Sequence, residues 1–543
     1  MSTKERIPDG ADAPKSDKNS SSDAAAVPPP TDGEVNPNSS READRNRHLD
    51  QSLAEILVTD DAVAATAEAR RKSLVRKYDI RLMPVCFITF LFFFLDKANI
   101  ALARINGLEE DLGLTSIQFN IALMLFFILN ILFNIPGNLA LRLVGGGNWL
   151  PLLIVSWGIV TTLTGFVTSF GGLCVTRVFL GLAESSFMGG VLIYLGFFYT
   201  PDELISRVGI FYSSAPLAGS VGGLLAGGLG RVRLNGYNGW PWIFFIEGAL
   251  TVILGIVAYC FLPNTPRDTR SLTDRERTLA LRRMHINPDE KPAKDHLQFK
   301  TVKRAIFNFM TLIMSIGAFF SIEAIYSYAL FLPTIVQTMG FKSLQASLMT
   351  VPPNFVGFLF TLGICCWSRH IRRTALPLNV CCILGIIGFV LLLVGGQTGS
   401  GPMKVSAPVQ YTGTFFVAMS VNALPPLALT WMTINARPHY VRAIALGFVL
   451  TVGNLAAFLA SFTYIKTEAP AYIRGHAINL GCLTGLLAIG IITPLWMRSE
   501  NHKRDRGERD HRLDEARWVA AGQTKEQYEL QLGWLHPGYR YKI

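Results

Sequence analysis

The chain has 543 residues, half of them hydrophobic, 11% aromatic and only 16% charged, with a net charge of +11. Soluble globular chains carry about 25% charged residues, so the composition excludes an ordinary water-soluble domain and points to a membrane. The positive balance does not read as nucleic-acid binding: Lys and Arg gather in tails and loops, where they set topology, and no basic groove interleaved with aromatics occurs.

The first 48 residues are dominated by small polar and charged types and lack a basic patch running straight into a short apolar stretch, so no cleaved leader is expected. Low hydrophobicity and the run VPPPTDG (27–33) predict a mostly disordered cytosolic tail over 1–78. Apolar runs near the roughly 20 residues that cross a bilayer follow. They predict spans at 80–98, 118–141, 148–168, 171–195, 208–229, 241–262, 306–332, 345–367, 374–396, 405–431, 441–463 and 475–497. The expected fold is therefore an all-α integral membrane protein of about twelve transmembrane helices in two six-helix halves, 79–262 and 305–497. A cytosolic linker over 263–304 joins them, and a cytosolic tail over 498–543 closes the chain. That tail's mixed charges predict a solvated helix or disorder, with attraction to an anionic leaflet as the alternative.

Arg70, Arg71, Lys72, Arg76, Lys77 and Arg81 precede the first span, the linker is crowded with Arg and Lys, and Arg498, Lys503, Arg504 and Arg506 follow the last. Under an even span count this places both termini and the linker in the cytoplasm. All eight cysteines fall in apolar runs without a C-x-x-C pair, which reads as small buried hydrophobes and no metal site. Neither G-x-S-x-G, H-E-x-x-H nor a Walker sequence occurs, so neither a hydrolase nor an ATP-driven pump is supported, and the protein is not read as an enzyme.

A charge at membrane depth is a functional hypothesis by default. Asp96 and Lys97 end the first span, and Arg177 and Glu184 lie in the fourth. Seven residues are nearly two helical turns, so Arg177 and Glu184 share a face about 10 Å apart. Each then needs a partner from elsewhere, and Gly181 between them is read as leaving space for it. An interhelical salt-bridge network that merely fixes packing is the competing reading. Asn130, Asn134 and Asn138 form a one-sided amide stripe, suited equally to packing between helices and to substrate contact. Ala215, Gly219, Gly223 and Gly227 form a small-residue ridge for close helix packing. In the second half Glu323 is read either as a second titrating carboxylate at the cavity or as a group near a wetter helix end; Tyr326, Tyr328 and Asn454 lie in the same half. Glu247, near the start of the sixth span, is read as interfacial packing.

The segments LVRKYDIRLMP (74–84), LDKANIALARINGLEEDLGLT (95–115), RVFLGLAES (177–185), GWPWIFFIEG (239–248), FLPTIV (331–336) and WMTINARPHYVRAIALGFVLTVGN (431–454) carry a resemblance. Over roughly 72–497 the chain resembles the major facilitator superfamily, and within it the anion:cation symporter branch and the fungal allantoate, nicotinate and pantothenate permease group. The resemblance implies proton-coupled symport of a small organic anion or vitamin-like carboxylate by alternating access. It implies basic groups Arg177 and Lys97 toward the anion, and acidic groups Glu184 and Asp96 in proton coupling. Asn454 matches a cavity-facing asparagine of the eleventh helix; Asn134 and Tyr328 complete the candidate substrate contacts, and Glu323 the proton-coupling set. Lys97 stands where Arg is frequent, which replaces a planar fork by a point charge. No cofactor beyond a proton gradient, no metal and no nucleic-acid partner is expected; the partners are the substrate and the bilayer. The protein is expected to work as a monomer, in the plasma membrane rather than the vacuolar one. An exporter of a fungal secondary metabolite on the same fold is the alternative, and a non-transporting nutrient sensor the alternative of another class.

Overall fold

A helix satisfies its internal backbone N–H and C=O groups within itself, the requirement in hydrocarbon, and the apolar runs all take that form. The computed structural model describes residues 37–234, 239–283, 303, 305–396, 407–436, 439–514, 519 and 532–542. Among the described residues twelve helices are long and apolar enough to cross a membrane: Glu68–Asp111, Ser116–Leu141, Gly146–Thr164, Phe170–Leu195, Arg207–Leu229, Gly239–Phe261, Phe309–Thr338, Ser343–Ile371, Ala375–Val394, Ala407–Asn435, Ile444–Thr463 and Ile473–Asp505. These are spans 1 to 12, and each overlaps its expected run. Contacts divide the chain into Met1–Arg70 and Arg71–Ile543, and the packing of the spans lies in the second unit.

The first helix runs Pro37–Ala103, so much of the expected tail over 1–78 is helical rather than disordered. AVAATAEARRK (62–72) is rich in Ala, Glu, Arg and Lys, whose helix propensity outweighs the want of apolar surface. The expectation for residues 1–36 falls outside the described residues.

Small residues set the approach between spans 5 and 8. A Cβ built on Gly219 would overlap the Asn354 amide, one on Gly223 the Thr350 hydroxyl and Ser347 carbonyl, and one on Gly227 the Leu348 side chain. The ridge is thus a close-packing surface against span 8. On the linker side the described part of 263–304 folds into the helix Asp274–Arg283. It is clasped by Lys77 Nζ to Glu276 at 2.6 Å and by Arg283 to Glu203 at 3.0 Å, while Arg207 forks onto Asp79 at 3.0 and 2.7 Å. The hydrogen bond from Lys77, with another from the Thr273 backbone, holds the Glu276 carboxyl below its ordinary value. Because that value is depressed by folding, the clasp is present above the usual carboxylate range and is lost as pH falls through the depressed value.

The end of the chain departs from the expected solvated helix or disorder. Span 12 continues as helix to Asp505, and residues 532–542 return to the ends of spans 10 and 12. Asn435 donates to the Lys542 carbonyl at 2.8 Å and accepts from its N–H at 2.8 Å, and Asn501 makes the same pair of bonds with Tyr541 at 3.0 and 2.9 Å. Arg504 donates to the Tyr539 carbonyl at 2.8 Å, and Tyr541 is buried against Trp496. The composition of this tail concealed the dock because its aromatics are spaced among charges. Removing residues from 532 onward is expected to expose Asn435 and Asn501 and to cost about 2–4 kcal/mol locally, from lost hydrogen bonds and aromatic burial. Hydrogen exchange of the segments 431–435 and 496–505 checks this; unchanged protection would contradict the dock.

Candidate functional site

Two turns of aromatics close the site on its linker side. Phe93 packs at 5.1 Å from Phe187, Trp157 at 4.7 Å from Phe187, and Phe90 at 3.8 Å from Phe211. Directly after them in span 1 come Asp96 and Lys97. This apolar plug excludes water from one side, which strengthens every charge interaction beside it.

Above the plug five ionisable side chains converge from spans 1, 4 and 6. Asp96, Arg177, Glu184 and Glu247 are all buried, and Lys97 is nearly so. Lys97 Nζ lies 3.8 Å from Glu184 Oε2 and 3.8 Å from the centre of the Phe93 ring. The Arg177 guanidinium stands 5.8 Å from the Phe244 ring, within electrostatic reach of Glu184 and Asp96, and its Nε and Nη2 have no hydrogen-bond partner. Asn99 bridges two acids: its Nδ2 donates to Asp96 Oδ1 at 3.4 Å and to Glu247 Oε2. Both Glu184 oxygens and Glu247 Oε1 lack hydrogen-bond partners, while Thr161 and Trp157 lie within hydrogen-bonding reach of the Asp96 carboxyl.

Glu247 is therefore not an interfacial packing residue. Eight residues after Gly239 it stands about 12 Å into its helix at 1.5 Å per residue, fully buried among the other charges. The helical rise along the span already places Glu247 at this depth, whereas nearness to the start of the span by itself suggests the interface.

Gly181 does not leave space. Its Cα faces span 2, and a Cβ built there would collide with the Phe126 carbonyl oxygen. The glycine brings the two helices together and so sets the depth of Arg177 and Glu184. Backbone cannot yield as a flexible side chain does, so Gly181→Ala is expected to cost about 1–3 kcal/mol through overpacking. Thermal unfolding of the purified protein measures it, with Gly228→Ala as control because a Cβ at Gly228 meets nothing within 4 Å. Equal melting of the two variants would contradict the close approach.

Span 4 is also not one unbroken helix. Phe170–Glu184 ends at Ser185, and Phe187–Leu195 resumes after Ser186, which has φ −104° and ψ 3°. Glu184 is the last residue before the break. Asn134 Nδ2 donates to the Ser185 carbonyl at 2.9 Å, and Asn138 Nδ2 donates to the Asn134 carbonyl and Oδ1 at 2.8 and 3.1 Å. The structure thus spends Asn134 on a backbone carbonyl that the break frees, the packing branch of the two readings of the amide stripe. Nothing in the sequence marks the break except the pair Ser185 and Ser186.

From the other side span 7 meets the cluster. The Tyr326 ring lies 5.6 Å from Lys97 Nζ and 5.2 Å from the Phe127 ring, and its hydroxyl donates to Asn454 Oδ1 at 3.4 Å. Asn454 thus joins the site through Tyr326. Tyr328 points elsewhere, into a cavity between spans 1, 5, 7, 8 and 10 that Phe94, Ala98, Asn354 and Asn422 also line. Its buried hydroxyl has no partner there. Asn354 and Asn422 turn their amide nitrogens back onto Thr350 and Ala418 at 2.9 and 2.8 Å. Sequence reasoning did not select either, because isolated amides in apolar runs show no spacing pattern. Glu323 faces away from this cluster, toward spans 11 and 12, and Thr463 Oγ1 lies 2.6 Å from its Oε1. Among the described residues no group of three His, Cys, Asp or Glu is placed to hold a metal ion.

Residues 85–461, more than half of the chain, match the family model described as Major Facilitator Superfamily. The chain belongs to the major facilitator superfamily. The MFS-type transporter cnsO of Penicillium expansum is 32% identical over 446 residues, covering 80% of this chain and 85% of that one. An uncharacterized transporter of Schizosaccharomyces pombe is 30% identical over 81% of this chain and 87% of its own length. Among solved structures the proton:xylose symporter XylE aligns with TM-score 0.59 at 14% identity, over 78% of this chain and 96% of that one. A bacterial homolog of the human lysosomal transporter Spinster aligns with TM-score 0.56 at 15% identity, over 76% and 96%. At such identities the two structures speak for the fold alone. This superfamily member is a multi-pass membrane transporter and not an enzyme.

Proposed function

We propose that the protein is a proton-coupled symporter of a small organic anion or vitamin-like carboxylate, in the anion:cation symporter branch and near its allantoate, nicotinate and pantothenate permease group. The observation that carries the reading is a charge imbalance: two buried cations, Lys97 and Arg177, share one cluster with three buried carboxylates, Asp96, Glu184 and Glu247. With all five ionised the cluster holds one excess negative charge at a depth where an uncompensated charge is costly. One bound proton makes it neutral.

A proton on Glu184 removes the counter-charge of Lys97 and leaves both cations available to an incoming carboxylate. Arg177, with two N–H-bearing nitrogens unpartnered, offers the directed bonds, and Lys97 a point charge. Neutral carboxyls also lower the cost of closing a dry gate over the site, so proton and anion favour the same occluded state. Asp96 takes part through Asn99, and Asn454 positions Tyr326 beside Lys97. Tyr328 supplies a hydroxyl for the uncharged part of the substrate, in the cavity with Asn354 and Asn422. The proton gradient is the driving force, without a further cofactor. The basic residues around the first span, the linker and the last span support cytoplasmic termini; a plasma-membrane address and a working monomer complete the proposal.

The test is an uptake screen of purified protein in liposomes with an imposed pH gradient, against carboxylate vitamins, ureides, dipeptides and sugar acids. Saturable accumulation of a carboxylate that collapses with the gradient is the expected result. Accumulation of neutral compounds only, or uptake indifferent to the gradient, would overturn it.

A further inference from the structure

A second buried carboxyl lies outside the cluster just described. Glu323 is fully buried in span 7, about 21 Å along a helix that begins at Phe309. Its Oε1 is 2.6 Å from Thr463 Oγ1, and Oε2 has no hydrogen-bond partner. Thr463 Oγ1 is also 2.9 Å from the Leu459 carbonyl. A hydroxyl has one proton to give. If Glu323 is ionised, that proton serves either the carboxylate or the Leu459 carbonyl, and one acceptor goes without. If Glu323 is protonated, its own O–H donates to Thr463 Oγ1 while Thr463 donates to the Leu459 carbonyl, and both contacts are made at once.

Among the described residues no cation is placed against the Glu323 carboxyl to favour the ionised form. On the same face of span 7, Ser327 donates to Asn479 Oδ1 at 2.8 Å. Asn479 Nδ2 donates to the Tyr464 hydroxyl at 3.4 Å, and that hydroxyl lies 3.0 Å from His476 Nδ1. With its oxygen accepting from Asn479, the phenol gives its proton to Nδ1, which fits a neutral imidazole. Tyr464 and, in span 12, Cys482 are titratable groups near the carboxyl. Tyr326 and Tyr328 belong to span 7 itself, and Arg104, at the end of the first span, is engaged with Glu109 at 2.8 Å. Buried charges without a partner are strongly disfavoured, and apart from the Arg104–Glu109 ion pair the groups named here are neutral.

We propose that Glu323, with Thr463 as its relay partner, is a second proton-binding site, separate from the Glu184 cluster and loaded in the state seen here. Its role in coupling rests on the proton-symport reading above; its protonation does not. A proton enters or leaves when water reaches the buried carboxyl. The Glu323 carboxylate then takes a proton from hydronium to give the acid and water, and the reverse step returns it.

Infrared difference spectroscopy of the full-length protein in nanodiscs tests this without a substrate, by following the C=O stretch of protonated carboxyls as bulk pH is changed. Glu323→Gln is expected to lose one such band at neutral pH, and Glu184→Gln should leave that band in place. Thr463→Val should shift the Glu323 band toward the position of a free carboxyl without removing it, and this variant serves if Glu323→Gln does not fold. A spectrum unchanged by Glu323→Gln in folded protein, or a Glu323 band that Thr463→Val leaves unmoved, would overturn the proposal. Loss of the Glu323 band together with gradient-independent uptake would keep this site and sink the symport reading.

Discussion

Arg177→Gln is expected to remove high-affinity saturable uptake of the transported carboxylate, with KM rising by about 10-fold to 100-fold. A hydrogen bond to a charged group contributes roughly 1.5–3 kcal/mol, and each 1.4 kcal/mol is a factor of about ten in binding. The substitution acts twice. It deletes the two nitrogens that stand unpartnered in the structure, and among the described residues it leaves Lys97 as the one cation facing Asp96, Glu184 and Glu247. The doubled negative excess repels the anion as well as failing to hold it. Arg177→Lys keeps the charge but not the planar fork, so it is expected to recover part of the affinity. Initial rates against substrate concentration in proteoliposomes separate the cases. A KM unchanged in Arg177→Gln would mean that the substrate does not meet this guanidinium.

The second large effect is on coupling. Glu184→Gln is expected to leave exchange of internal for external anion running while abolishing accumulation against a gradient, and to flatten the dependence of uptake on pH. Glutamine fixes a neutral side chain in place of a carboxyl whose two oxygens are both without hydrogen bonds and whose nearest cation is Lys97 at 3.8 Å. Lys97 then stays available to the anion whatever the pH. Wild-type uptake should rise as external pH falls, because protonation releases Lys97, whereas the variant should not respond. If Glu184→Gln still accumulates substrate when a proton gradient is imposed, the coupling proton resides elsewhere in the cluster, and Asp96 and Glu247, joined through Asn99, become the group to test.

Legibility differed between fold and site for a physical reason. A bilayer demands about twenty apolar residues per crossing whatever they pack against, so each span could be read from its own run. The charges at depth were legible for the same reason, since Asp96, Lys97, Arg177 and Glu184 stand out against a greasy background. Helical spacing also put Arg177 and Glu184 on one face of span 4. What it could not tell was the neighbour across the groove. Gly181 reads as open space until the Phe126 carbonyl is placed against it, and Asn134 reads equally as a packing or a substrate residue until the break at Ser185 gives it a carbonyl to cap.

By itself the sequence determined that this protein is a helical membrane protein of about twelve spans with opposite charges buried in spans 1 and 4. These properties depend on local composition and on the solvent around the chain. Only the tertiary structure decided which charges share a cluster. Asn99, itself bonded to Asp96, reaches Glu247 across 148 positions of chain, Glu323 turns toward Thr463 instead of the cluster, and the last residues of the chain fold back onto Asn435 and Asn501. Such contacts are fixed by the depth and rotation of each helix against its neighbours. Those follow from close packing at residues such as Gly181 and Gly223, and the pattern along one helix does not contain them.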